Sequence, residues 1–125
     1  MRQAFISYRR ADTGALADQI AISIRRLFGR ESVFNDTGDI PSGSRWGEVL
    51  DHRLEGMAAL LCISGSEWTG VTAQGRRVDD SNDWVRREIR NAIDRKIPIL
   101  PIVASQAHLP TTSELPTDLR PVLAV

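Results

Sequence analysis

Residues 57–63, Met-Ala-Ala-Leu-Leu-Cys-Ile, constrain the fold more than any other segment of the chain. The run is apolar at every position, so neither a helical stripe nor a half-buried strand explains it. A strand covered on both faces does, and such strands belong to parallel sheets with helices packed on either side. The remaining sequence must then supply those helices and further strands.

It does so in alternation. Gln3 to Tyr8 reads as a short strand. Asp12 offers an N-cap to a helix in which Leu16, Ile20, Ile24 and Leu27 recur until Gly29. Ser32 to Phe34 is a second strand ending at Asn35-Asp36, and residues 37–44 form a loop rich in Gly, Pro and Ser. Trp46, Val49, Leu50 and Leu54 mark a second helix, and the apolar strand follows. Residues 64–83 read as a long polar loop, 84–96 as a third helix and 97–103 as a fourth strand. Pro110, Pro116 and Pro121 break the tail, which has room for one short helix near Asp118. Alternating strand and helix predicts βαβ units and an α/β fold with a parallel sheet. Ligands gather beyond the carboxyl ends of such strands, at the topological switch point. Four segments should meet there: residues 7–14, 35–44, 64–83 and the start of the third helix.

Composition narrows the function classes. The 125 residues fit one domain, and sixteen basic against sixteen acidic residues leave no net field to attract nucleic acid or membrane. A single cysteine, Cys62, rules out an internal disulfide framework and a multi-cysteine metal site. A reducing cytoplasm is the expected compartment. No apolar run approaches the roughly 20 residues of a membrane-spanning helix.

Along the third helix, Val85, Ile89, Ala92 and Ile93 form one apolar stripe, with Arg86, Arg87, Arg90 and Asp94 opposite. Glu88 falls at the border, one turn after Trp84 and with Ala92 one turn ahead, so it has no cation at helical spacing. Periodicity leaves two readings open. Glu88 is either a boundary residue that pairs with an arginine elsewhere, or a functional carboxylate near the ligand edge. Residues 38–45 space two glycines as a phosphate-binding loop does, but no Lys follows Gly43, and Pro41 lacks an amide proton. His52 and His108 form no metal or nucleophile pair.

Five segments in order resemble the TIR (Toll/interleukin-1 receptor) family, particularly its NAD-cleaving prokaryotic-type branch. They are Phe5-Ile6-Ser7-Tyr8-Arg9-Arg10; Val33-Phe34-Asn35-Asp36 with the loop to Trp46; Asp83-Trp84-Val85-Arg86-Arg87-Glu88-Ile89; Ile97 to Ile102; and Leu115-Pro116-Thr117-Asp118-Leu119. The resemblance implies a flavodoxin-like three-layer sandwich with strand order about 2-1-3-4-5, ending here before the last strand and helix. It also implies that residues 1–125 are the N-terminal effector part of a longer protein, with a C-terminal sensor domain or partner and a role in antiviral defence.

The same resemblance makes Glu88 the catalytic carboxylate of an NAD+ glycohydrolase that releases nicotinamide and ADP-ribose or a cyclic isomer. NAD+ is then the substrate, with no cofactor or metal. Arg9 and Arg10 are expected to meet the pyrophosphate, Tyr8 and Trp84 to bound the pocket, and Gly43 to lie in the loop named BB, residues 36–44, which also mediates TIR–TIR contact. Asp36 either orients a hydroxyl or caps that loop, and Trp46 either lines the cavity or packs its helix. Trp68 is a weaker candidate, and Ser7 is expected to bond to backbone. The alternative is a non-catalytic TIR scaffold that works by self-association.

Overall fold

Four parallel strands, in the spatial order Val33–Phe34, Ala4–Ser7, Ala59–Ser64 and Ile99–Val103, build the central sheet of the computed structural model. The structure describes residues 3–34, 54, 56–81, 83–104, 107 and 110–124. Within them the chain runs β1 (Ala4–Ser7), α1 (Arg10–Phe28), β2 (Val33–Phe34), β3 (Ala59–Ser64), β4 (Val71–Thr72), β5 (Gly75–Arg76), α2 (Trp84–Asp94) and β6 (Ile99–Val103). Single turns of 3-10 helix at Arg77–Asp79 and Thr112–Glu114, and a longer one at Thr117–Ala124, complete it. The helix expected around Trp46 and the loop from Asp36 to Ser44 lie outside the described residues, apart from Leu54.

β1 is the inner strand at the point where the order reverses. Ala4 and Phe5 pair with Val33 and Phe34 on one side, and Ala4 to Ser7 pair with Ala59 to Cys62 on the other. Alternation along β1 and β3 then divides the core into two. Phe5, Leu60 and Cys62 pack with Val85, Ile89 and Ala92 of α2. Ile6, Leu61 and Ile63 pack with Ala17 and Ala21 of α1. The result is three layers, helix–sheet–helix, as the uniformly apolar β3 requires. Small residues on α1 allow it to lie close to the sheet, and Phe5 stacks on Phe34 with ring centroids 5.3 Å apart. On β6, Leu100 and Val103 are exposed.

Two local expectations change. α1 begins at Arg10, with Arg9 as its N-cap, and it kinks at Thr13. Asp12 therefore caps nothing in its own helix. Its carboxylate instead accepts from the amides of Gly65 and Glu67, at 3.0 and 3.1 Å, tying α1 to the turn that follows β3. The expected polar loop of residues 64–83 also holds structure: β4 and β5 form an antiparallel hairpin, and Val78 turns back into the core. Gly70 makes this possible, because its φ of +72° is accessible to few other residues.

Candidate functional site

Ser7 ends β1, and its side chain faces α2. Its hydroxyl donates to Glu88 Oε1 at 2.9 Å. This corrects the expectation that Ser7 bonds to backbone. It also settles the position of Glu88, which is no border residue: it is fully buried and pairs with no arginine among the described residues. A helical wheel of α2 places Glu88 at the stripe's margin because the wheel cannot see the carboxyl end of β1 packed over that margin.

Glu88 Oε2 has no hydrogen-bond partner among the described residues. Burial pushes the carboxyl up to about 8, more than the Ser7 hydroxyl and the Trp84 indole N–H lower it. Asp83 adds a further rise and Arg9 a further decrease, both smaller. A carboxyl in such a place is neutral at pH 7 and ready to ionise when a cation arrives. Cys62, paired with Ser7 across the sheet, is close enough to feel Glu88, but burial pushes its thiol up to about 12. It is therefore no thiolate nucleophile at neutral pH.

The N-terminal end of α2 is held by a second set of contacts. Asp83 is its N-cap and accepts from the Arg86 amide at 3.2 Å. The same carboxylate receives both terminal nitrogens of Arg9, at 2.8 and 2.9 Å, in a bidentate pair with both side chains 5% exposed. Arg9 Nε donates to the Trp68 carbonyl, and the guanidinium lies over the Trp68 indole, 5.8 Å from the ring centroid. Trp68 Nε1 has no partner among the described residues. Trp68 also walls a cavity of about 250 Å³ beyond β3, with Gly65, Ser66, Thr69 and Glu114.

The other expected site residues separate. Trp84 is half-buried one turn before Glu88 and packs on the same core. Arg10 is exposed at the start of α1. Tyr8 is buried on the opposite face of the sheet, among Ile6, Ala17 and Ile63, so it does not share a wall with Glu88. Asp36, Gly43 and Trp46 lie outside the described residues. Sequence reading did not select Asp83, whose acid directly before a helix was legible as a cap but not as a partner for Arg9. No group of three or more metal-ligating side chains occurs among the described residues. Nor is any described helix long and apolar enough to cross a membrane.

Comparison with known proteins gives this arrangement a family. The chain is 30% identical over 121 residues to a protein named NAD(+) hydrolase sarm1 from Drosophila melanogaster, covering 94% of this chain but 8% of that protein. In fold it is similar to a metazoan TIR-STING receptor from C. gigas, with a TM-score of 0.56 at 17% identity, covering 95% of this chain and 35% of that one. The sequence matches the family model for the TIR domain over residues 4–123, nearly its whole length. The chain belongs to the TIR domain family.

Proposed function

We propose that this TIR domain cleaves NAD+ between nicotinamide and ribose, with Glu88 as the carboxylate that stabilises the transition state. The observation that carries the reading is the placement of Glu88: fully buried, held by Ser7 Oγ through one oxygen and flanked by the Trp84 indole N–H. Similarity to a protein named NAD(+) hydrolase supports it.

Breaking the bond from the nicotinamide nitrogen to ribose C1′ sends the bonding electrons to nicotinamide, which leaves neutral and needs no general acid. Positive charge builds at C1′, as in glycoside hydrolysis. An ionised Glu88 facing that charge is favoured more in the transition state than before it, and low polarity around the carboxyl strengthens the effect. The cationic nicotinamide ring also lowers the cost of ionising Glu88, so substrate binding draws off its proton. Water then attacks C1′ to give ADP-ribose, or the adenine base does so to give a cyclic isomer. Trp84 flanks the carboxyl, and Arg10 offers a cation to the pyrophosphate. Asp36, Gly43 and Trp46 are the further substrate-binding residues of this reading. No cofactor or metal takes part.

Activity depends on TIR–TIR contact through residues 36–44, and the domain acts as a cytoplasmic immune effector controlled by a sensor domain or partner. The test is chromatography of NAD+ incubated with the protein at rising concentration. Nicotinamide should appear at a rate that climbs faster than protein concentration, because only assembled copies are competent. Absence of nicotinamide at every concentration, with and without a crowding agent, would overturn the proposal.

A further inference from the structure

We propose that Arg9 is a positioning residue: by bridging Asp83 and the Trp68 carbonyl it fixes the first turn of α2, and with it the Glu88 carboxyl, over the end of β1. The inference rests on the reading of Glu88 as the NAD+-cleaving carboxylate, and it gives Arg9 a different task from clamping pyrophosphate.

The geometry is a double latch. Ser7 and Arg9 are two residues apart at the end of β1, and both side chains reach α2. Ser7 takes Glu88, and Arg9 takes Asp83, the cap five residues earlier. Asp83 is shared between Arg9 and the Arg86 amide, so the cap of α2 and the bridge to β1 are one carboxylate. With its side chain and that of Asp83 only 5% exposed, Arg9 cannot leave without stranding a buried negative charge. Its Nε and both terminal nitrogens are already engaged, and its guanidinium lies over the Trp68 ring. A phosphate would have to compete with all of these. What Arg9 controls instead is the distance from α2 to β1, and an error of about 1 Å in a reacting group costs on the order of a hundred-fold in rate.

Arg9→Lys separates the two roles, because lysine keeps the charge and loses the planar fork. The groups facing Glu88 are Ser7, Trp84, Cys62, Asp83 and Arg9, and this variant changes the charge of none. Two readouts are taken on folded protein, checked by an amide NMR spectrum: kcat and KM for NAD+, and the titration of the Glu88 carboxyl carbon. Positioning predicts kcat down by about ten-fold or more, KM within about two-fold, and a Glu88 pKa lowered toward the ordinary range as water reaches a loosened helix. KM raised about ten-fold at unchanged kcat, with Glu88 titrating as in the unaltered protein, makes Arg9 a substrate ligand and overturns the inference. If the unaltered protein cleaves no NAD+, the functional reading fails, while the titration still decides the latch: an unmoved Glu88 pKa overturns it. Should Arg9→Lys not fold, Asp83→Glu preserves charge and spoils the bidentate geometry, and the same results are expected.

Discussion

Ser7 and Glu88, 81 residues apart in sequence, meet at 2.9 Å where β1 ends over the second turn of α2. The hydroxyl is the strongest influence that keeps Glu88 from an even higher pKa, since burial alone drives the carboxyl upward. Ser7→Ala should therefore raise the Glu88 pKa above its value of about 8. If Glu88 works ionised, kcat/KM for NAD+ rises with pH through that pKa, and the variant's profile moves to higher pH by about half to one unit. A pH–rate series on both proteins checks this, and a shift to lower pH contradicts it.

The buried carboxyl also makes stability depend on pH. In the unfolded chain Glu88 loses its proton near its ordinary value of 4.5, whereas in the folded chain it holds the proton to about 8. The folded state binds more protons between these values, so the contribution is fully present below pH 4.5 and is lost as pH rises through about 8. Glu88→Gln removes the titration. Its melting temperature should change little relative to the parent at pH 4 and exceed it at pH 9, by an amount equivalent to at most roughly 5 kcal/mol. Thermal melts at the two pH values decide it, and an advantage for Gln at pH 4 alone would be the wrong sign.

A third expectation concerns the scaffold below the site. Asp12 holds the amides of Gly65 and Glu67, and a Cβ on Gly65 would collide with that carboxylate. Asp12→Ala should cost roughly 1–2 kcal/mol, because two amides lose a charged acceptor but remain near solvent. Gly65→Ala should cost a comparable amount, since its Cβ would displace the Asp12 carboxylate from the same two amides. Denaturant titration measures both, and a smaller loss for Gly65→Ala would show that the turn adapts freely.

These residues show what a sequence of this kind makes legible. The unbroken apolar character of β3, the stripe Val85-Ile89-Ala92 and the alternation of strand and helix were each local, and each led to the sheet and layers observed. Glu88 was readable as a candidate from helix spacing and family resemblance. Its full burial was not, because that depends on Ser7 from a strand in another part of the chain. Asp12 had the right chemistry for a cap, yet a partner 53 residues away claimed its carboxylate. The hairpin of Val71–Thr72 and Gly75–Arg76 is not legible, because strands of two residues leave no periodicity to read. Arg9 beside Arg10 looked like a cationic pair, but alternation along β1 turns Arg9 inward to Asp83 while Arg10 is exposed.

If Glu88 is the catalytic carboxylate, Glu88→Ala removes the group on which NAD+ cleavage depends. Parent and variant, both verified as folded by circular dichroism and amide NMR, are compared for nicotinamide release from NAD+ at a concentration where the parent turns over. Glu88→Ala should lose at least about a hundred-fold in kcat/KM with the fold intact. Turnover by a folded Glu88→Ala protein within a few-fold of the parent would contradict it.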